Sequence, residues 1–414
     1  MARLDYARKK KTLIYALVLL LGVCCIVLSA CNKDAGIYDV SDKDAELELT
    51  HFVAKFIYVL YENIGNIGWT VVVFTIILKV ALSPLDVWQK VVTRKNAKAM
   101  ERMKPQLEVL QAKYGNDKQK FQQEQMALYK RERYSMFGSC LPMIVTMVMF
   151  FVIFAGFREM VGWKYASDYQ DCYKEFDRVM VQEIGEDWEN YTGDGEIYLT
   201  AEKKAQEAVF NFYYSDEQVN SRSFLWIKNI FSPDSWSPEV PDYLTVTGQS
   251  GLATSRIEGV SKTEYEMVMA RLIGQGGWSG KGSWNGWLLL PVLSLALNIV
   301  SSKMMSAAQG NKGEKKEKKS FKERWANLQN PNGQAGANGQ GQQQDQTQAS
   351  MKMMTYMMPL ITAVFALMYS SAFALYMFVS SFLATLFQLI FNLAFAIADK
   401  KQMDTPQKPV KARK

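Results

Sequence analysis

The chain has 414 residues, of which 49% are apolar, and a formal net charge of +7. The apolar residues are concentrated in blocks of about 18 residues or more that are largely free of charge, which excludes an ordinary soluble core and indicates membrane spans. One histidine and five cysteines, without metal-ligand spacing or a disulfide framework, argue against a metalloenzyme. No span contains a GxSxG, HExxH or Walker A motif, so we expect neither an enzyme nor a cofactor.

The N-terminal stretch predicts an export signal. A basic "ARLDYARKKK" precedes the apolar "TLIYALVLLLGVCCIVL", which ends in "LSAC" at Cys31. Small residues immediately before a cysteine are typical of a bacterial lipoprotein signal, so we expect Cys31 to be lipidated and to become the mature N-terminus. An uncleaved anchor with an incidental cysteine is the alternative. In either case Asn32 starts outside the cytoplasm.

Five further spans follow, and charge predicts their orientation. No charged residue lies between Lys352 and Asp399, a distance long enough for two spans. The loops after the first and third of these spans and the C-terminal tail are basic and should lie inside, whereas the long loop after the second is acidic and should lie outside. The sequence therefore predicts an all-α polytopic membrane protein with its mature N-terminus outside and its C-terminus in the cytoplasm.

The predicted segments are the signal peptide (1–30), an outer linker with an interfacial amphipathic helix (31–63), span one (64–85), a basic cytoplasmic helical hairpin (86–138), span two (139–157), an expanded outer loop or cap (158–286), span three (287–305), a basic, Gln- and Gly-rich flexible cytoplasmic loop (306–351), span four (352–370), span five (371–398) and a basic tail (399–414).

The segment before span one has an apolar stripe at helical spacing, formed by Leu49, Phe52, Val53, Phe56, Ile57 and Leu60. This pattern predicts a helix that lies in the outer membrane interface. His51 is on the opposite, polar face of that helix. We interpret it as a bystander at the level of the lipid headgroups rather than as a ligand or a catalyst.

The cytoplasmic segment after span one predicts two antiparallel helices. The first has an apolar seam of Met100, Met103, Leu107 and Leu110, "KYGND" supplies the turn, and the second has Phe121, Met126 and Tyr129. The outer face of this hairpin is densely basic. Its candidate contact residues are Arg94, Lys95, Lys98, Arg102, Lys104, Lys130, Arg131 and Arg133, with Lys90 beside them. A solvated face that only enforces topology and a face that binds anionic lipid or ribosomal RNA explain these charges equally well.

Polar residues lie at helical spacing inside three spans. Span one has Thr75, Lys79 and Ser83, and a charge at that depth costs about 2.5–3.5 kcal/mol on insertion scales. The other polar residues in the spans are Thr146 in span two; Ser294, Asn298 and Ser301 or Ser302 in span three; Thr355 and Thr362 in span four; and Ser381, Thr385, Gln388 and Asn392 in span five. Ser and Thr also serve as packing residues, and Lys79 could snorkel towards the cytoplasm. We favour a shared hydrophilic groove.

The chain resembles the YidC/Oxa/Alb membrane protein insertases, in the lipoprotein-signal form common in Gram-positive bacteria. The resemblance rests, in chain order, on "FTIILKVALSPLDVWQ", "MKPQLEVLQAKYGNDKQKFQQEQMALYKR", "GSCLPMIVTMVMFFVIFAGFREM", "FLWIKNIFSPDS" and "MKMMTYMMPLITAVFALMYSSAFALYMFVSSFLATLFQ", the last including Pro359, Tyr376 and Gln388. It implies a groove open to the cytoplasm and lipid, with Lys79 as its basic residue. Lys79 stands where arginine is commoner, Thr146 where glutamine is usual and Met377 where tryptophan is usual, and the loop around "FLWIKNIFSPDS" is expanded.

The resemblance also implies a function and partners. We expect an insertase and chaperone for nascent membrane proteins, acting alone or with the Sec translocon, and contacting the ribosome, its RNA and membrane lipids but not DNA. A transporter or channel with Lys79 as an anion site is the alternative, although no internal repeats are visible. A third hypothesis is a passive tether for the ribosome or translocon, in which the basic hairpin is needed for function and Lys79 is not.

Overall fold

The computed structural model describes residues 36–114, 117–132, 134, 136–249, 256–273, 284–308, 364, 366–367 and 369–403. The signal with Cys31, residue Arg133, the flexible cytoplasmic loop after Ala308 and most of the predicted span four lie outside the described residues. The predictions made for them therefore stay predictions.

The described chain is mainly helical. Its elements in order are β1 (Ile37–Asp39), α1 (Phe52–Ile64), α2 (Ile67–Tyr114), α3 (Lys118–Arg131), α4 (Met136–Glu183), a 3-10 turn (Trp188–Asn190), α5 (Gly195–Tyr213), α6 (Asp216–Arg222), α7 (Tyr243–Val246), β2 (Arg256–Glu258), α8 (Lys262–Ile273), α9 (Leu289–Ala308) and α10 (Ser371–Met403).

Three of the described helices are long and apolar enough to cross a membrane, namely Ile67–Tyr114, Val145–Glu183 and Ser371–Phe395, and a shorter apolar helix covers Leu289–Met304. They coincide with the predicted spans one, two, five and three, which confirms an all-α membrane protein. The count of five spans stays a prediction. Two predicted boundaries do not appear as helix ends: α2 continues from span one into the hairpin through Pro84 and Pro105, and α4 continues from span two into the outer segment.

The chain divides into two compact units. The first takes its described residues from 1–81, 143–294 and 362–380, and the second takes its own from 82–142, 295–361 and 381–414.

An aromatic cluster forms the centre of the first unit, where the spans pack together. Phe157 of α4 lies between Phe74 of α2 and Phe373 of α10, with ring centroids 6.0 and 5.8 Å apart. Tyr376 packs 5.9 Å from Phe373. All four residues are buried. Edge-to-face and tilted aromatic contacts of this kind fix the mutual orientation of three helices.

Helix α1 differs in register from the predicted amphipathic stripe. It begins after His51, whose Nδ1 accepts a hydrogen bond from the backbone of Val53 at 3.2 Å, and it ends at Gly65, which has a φ of 75°. Val53 and Ile57 are buried, whereas Phe52 and Phe56 are exposed. The interpretation of His51 as a bystander on the polar face is wrong, because its imidazole is buried and caps the helix.

The described part of the segment that the sequence predicts to lie outside is folded, as expected. Strands β1 and β2 pair in parallel, with Tyr38 opposite Ile257. The C-terminal half of α4 packs with this pair, α5 and α8 around a second apolar core. The rings of Tyr169 in α4 and Tyr265 in α8 stack at 5.5 Å, and the free thiol of Cys172 is fully buried beside them. A lone buried thiol of this kind is a core residue rather than part of a disulfide framework.

The second unit contains the predicted helical hairpin. Met103 and Leu107 near the end of α2 pack with Leu128 of α3, and Met100 and Leu110 cover the edges of this cluster. Phe121 is buried as well, but Met126 is half-exposed and does not belong to the seam. The hairpin turn at 115–116 falls outside the described residues.

Candidate functional site

Lys79 lies on the part of α2 that belongs to the first unit, between two different faces of the helix. Thr75, one turn earlier, is fully buried, and its hydroxyl donates to the carbonyl of Val71 at 2.6 Å. Ile77 and Val80 are exposed, as lipid-facing residues of a span are. Lys79 itself is half-buried. The cation therefore lies at the edge between a packed interior and an apolar exterior.

The other candidate groove residues of the first unit fall into different environments. Ser294 near the start of α9 is buried, and its Oγ has no hydrogen-bond partner among the described residues. Thr146 on α4 is exposed. Tyr376 is buried within the aromatic cluster. Thr75 is buried and its hydroxyl is satisfied by its own helix, so its place in a groove stays a prediction.

The second unit brings several of the predicted polar residues together. The hydroxyl of Ser381 in α10 donates to the side-chain oxygen of Asn298 in α9 at 3.3 Å. The amide of Gln388, which is buried, donates to Asn392 at 2.8 Å and accepts from Lys90 of α2. Within this unit, these polar contacts join α2 to α10 through Lys90 and α10 to α9 through Ser381.

The two remaining candidates of this unit are Thr385 and Ser83. The hydroxyl of Thr385 donates to the carbonyl of Ser381 one turn earlier, at 2.8 Å. Ser83 on α2 is half-buried.

The basic residues of the hairpin are not equivalent. The guanidinium of Arg94 lies 4.0 Å from the ring centroid of Phe395 in α10, so part of this cation is committed to an internal contact. Arg102 and Arg131 each approach Glu132, at 3.7 and 3.8 Å. The remaining described cations of the predicted basic face, Lys95, Lys98, Lys104 and Lys130, are exposed.

A buried glutamate that the sequence analysis did not single out holds α1 against α4. The carboxylate of Glu159, just beyond predicted span two, accepts hydrogen bonds from the backbone N–H and hydroxyl of Thr50, both at 2.6 Å, and from the N–H of His51 at 2.7 Å. Burial, with a contribution from the nearby Arg158, lowers the pKa of His51, although Glu159 opposes this shift. The imidazole is thereby kept neutral and able to accept its capping bond.

The motif "FLWIKNIFSPDS" holds together the starts of two spans. The carboxylate of Asp234 accepts from the backbone N–H groups of Trp287 and Leu290, each at 2.8 Å, and so caps the start of α9. The N–H of Ser371, at the start of α10, donates to the carbonyl of Ser232 at 2.8 Å. No period or spacing in the sequence predicts these long-range bonds.

Among the described residues, no three His, Cys, Asp or Glu side chains lie together as metal ligands would. Among the predicted groove residues, the structure brings together amides, hydroxyls and, through Gln388, the ammonium group of Lys90. Such groups can bind and orient a polar or anionic segment.

Known proteins of similar sequence carry one name. The chain is 34% identical over 119 residues to the membrane protein insertase YidC of Stutzerimonas stutzeri, which covers 28% of this chain and 21% of that protein. It is 37% identical over 95 residues to the insertase YidC of Stenotrophomonas maltophilia (23% and 16%), and 35% identical over 109 residues to that of Paracoccus denitrificans (26% and 16%). The chain thus matches between 16% and 21% of the length of these relatives.

The family described as 60Kd inner membrane protein matches residues 59–398, which include every described span and the outer segment between them. This match and the named relatives confirm the resemblance to the YidC/Oxa/Alb proteins. The chain belongs to the 60Kd inner membrane protein family.

Proposed function

We propose that this protein is a membrane protein insertase, which inserts nascent integral membrane proteins into the bacterial plasma membrane and assists their folding. The observation that carries the proposal is the family match over residues 59–398, together with relatives that are named insertases. The proposal needs no nucleotide and no enzymatic reaction, because burial of the substrate's own apolar span in lipid supplies the free energy.

Lys79 is the residue that we assign to substrate contact. Its position between the buried face of α2 and the lipid-type face with Val80 supports this role. A cation at that edge attracts acidic or polar parts of an entering segment, and a hydrophilic surface around it shortens the apolar distance that those parts must cross. The second unit has polar pairs of its own, Asn298–Ser381 and Gln388–Asn392, which we assign to contacts with polar parts of a substrate.

The remaining parts of the proposal concern topology and partners. Five spans, with the mature N-terminus outside and the C-terminus inside, place the hairpin in the cytoplasm. Its exposed lysines are then available to the ribosome with its RNA, to anionic lipid or to the Sec translocon. Arg94 contributes less to such contacts, because its guanidinium is stacked on Phe395.

The test of Lys79 is complementation of a bacterium depleted of its own insertase. We expect rescue by the wild type and by Lys79→Arg, and loss of rescue by Lys79→Glu and Lys79→Ala at equal expression. The matched control is Lys113→Ala, an exposed lysine on the same helix that is not among the candidate contact residues. Normal insertion by Lys79→Ala would refute the role of this charge.

Crosslinking distinguishes insertion from the other functions. A photoreactive side chain at Ser83 or Asn298, both half-buried, should crosslink to a stalled nascent membrane protein, whereas one at the exposed Ile397 should crosslink less. If crosslinks are absent and the wild type fails to rescue, the transporter function is favoured. If Lys79→Ala rescues but Lys95→Glu with Lys98→Glu does not, the tether function is favoured.

A further inference from the structure

Large apolar side chains remain exposed in the first unit along the motif "FLWIKNIFSPDS" and just before α9. Leu225 is 73% exposed, and the side chains of Trp236, Trp284 and Trp287 are 49%, 44% and 58% exposed. Single exposed apolar residues are ordinary on a protein surface, but a cluster that includes three tryptophans marks an interaction surface.

The cluster lies at the ends of the spans where the helices begin. Phe224, next to Leu225, packs so closely on the start of α2 that a Cβ on Gly68 would lie 2.2 Å from its ring. Asp234 caps the start of α9, and Ser232 accepts a hydrogen bond from the start of α10. The segment 224–236 therefore lies level with the first residues of three helices. The charge distribution of the loops predicts that these helix ends are on the outer side of the membrane.

The backbone at Leu225 shows that this exposure is not incidental. Phe224 and Ile227 exchange two backbone hydrogen bonds of 2.9 Å, so that Leu225 lies at the tip of a tight turn. Its φ is 54°, in the left-handed region that is unfavourable for a non-glycine residue. Burial of the Leu225 side chain in a lipid interface would offset part of this conformational cost.

The three tryptophans make two successive ring contacts, and the backbone N–H of Lys228, which follows the turn, donates to the carbonyl of Asn285, between Trp284 and Trp287, at 3.3 Å. The centroids of Trp236 and Trp284 are 6.2 Å apart, and those of Trp284 and Trp287 are 5.6 Å apart. Indole has an apolar body and an N–H donor, and it is the side chain that is enriched at the level of lipid headgroups.

We propose that Leu225 and the Trp236–Trp284–Trp287 cluster insert into the headgroup region of the outer leaflet and anchor the folded outer segment on the bilayer surface. The occupant of this surface is phospholipid, because the surface lies at the level of the helix starts and adjoins the exposed Trp69 of α2, whose ring centroid lies 5.5 Å from that of Phe224. The anchor is independent of Lys79 and of substrate insertion.

The test compares two exposed leucines of the same unit. Leu225→Cys and the control Leu199→Cys, which is 56% exposed on α5, are labelled with an environment-sensitive fluorophore in the full chain, reconstituted in phosphatidylethanolamine–phosphatidylglycerol vesicles. The parent chain sets the background from its native cysteines. We expect shallow nitroxide lipids to quench the label at 225 several-fold more than the label at 199, and aqueous iodide to do the reverse.

Equal iodide quenching at both positions would overturn the proposal and point to a protein partner for the cluster. A label-free measurement guards against a local effect of the fluorophore. Brominated phospholipids should quench less tryptophan emission after Trp236→Phe, Trp284→Phe and Trp287→Phe are combined than in the wild type. An unchanged fraction of lipid-quenched emission would likewise overturn it.

Discussion

Replacing Glu159 by alanine should release the start of α1 from α4 without unfolding α4. The carboxylate is 1% exposed and is the acceptor for three donors on Thr50 and His51, at 2.6–2.7 Å. Short hydrogen bonds to an ionised group are about twice as strong as neutral ones. Their loss leaves the buried N–H of His51 without an acceptor, and the N–H of Thr50, a more exposed residue, open to water.

The magnitude follows from these two different donors. A hydrogen bond to a charged group contributes about 1.5–3 kcal/mol net, and a buried donor left unsatisfied costs about 1–3 kcal/mol. Because the donors on Thr50 can turn to water, we expect a loss of about 3 kcal/mol for Glu159→Ala and about half of that for Glu159→Gln, which keeps one acceptor oxygen. A loss of about 3 kcal/mol corresponds to a factor of roughly 10² in the local opening equilibrium.

Amide hydrogen exchange of the full chain in lipid nanodiscs measures this equilibrium directly, because exchange reports the opening free energy of each segment. Amides of α1 should exchange roughly 10²-fold faster in Glu159→Ala, and those of α4 should be unchanged. Glu186→Gln, at an exposed loop glutamate, is the matched control and should leave both segments as they are. Wild-type protection of α1 in Glu159→Ala would refute the view that this carboxylate holds the helix.

Two further predictions concern α1 and the packing of α4. His51 caps α1 as a neutral imidazole, and burial holds its pKa below the usual value of about 6.5, so the unfolded chain takes up the proton first as the pH falls. In the wild type, the protection of α1 against amide exchange should therefore be complete above about pH 6.5 and should decline below it. It should not decline in His51→Asn, because asparagine keeps an acceptor for the capping bond. Gly162→Ala should lower the thermal unfolding midpoint by an amount that reflects about 1–3 kcal/mol, because its Cβ would lie 2.3 Å from the carbonyl oxygen of Gly36. Gly195→Ala, with nothing within 4 Å of the new Cβ, should leave the midpoint unchanged or raise it, and equal decreases in both variants would contradict the clash.

The features that the sequence predicted correctly are those set by local patterns. The described spans follow from apolar run length, and the hairpin follows from the spacing of Met103 and Leu107, because a helix repeats its face every three to four residues. The family resemblance followed from motifs that keep the same order along the chain. All of these signals lie within windows of about twenty residues.

The features that were missed depend on partners far apart in the chain. Glu159 lies about a hundred residues from Thr50, and Asp234 lies more than fifty residues from the helix that it caps. Neither carboxylate differs in sequence from an ordinary surface acid. His51 was misread for the same reason, since its burial depends on the packing of α1 against α4 and not on the residues around it.

The continuity of α4 also has a mechanical consequence. The helix runs unbroken from Val145 to Glu183, which at 1.5 Å per residue is about 58 Å, nearly twice the thickness of a bilayer core. Its first part packs among the apolar helices through Phe157, and its second part carries the core around Tyr169 and Cys172. Such a helix acts as a lever: a tilt of about 5° around its Val145 end displaces its Glu183 end by about 5 Å. A small tilt of the first part is therefore enlarged at the core that surrounds Tyr169.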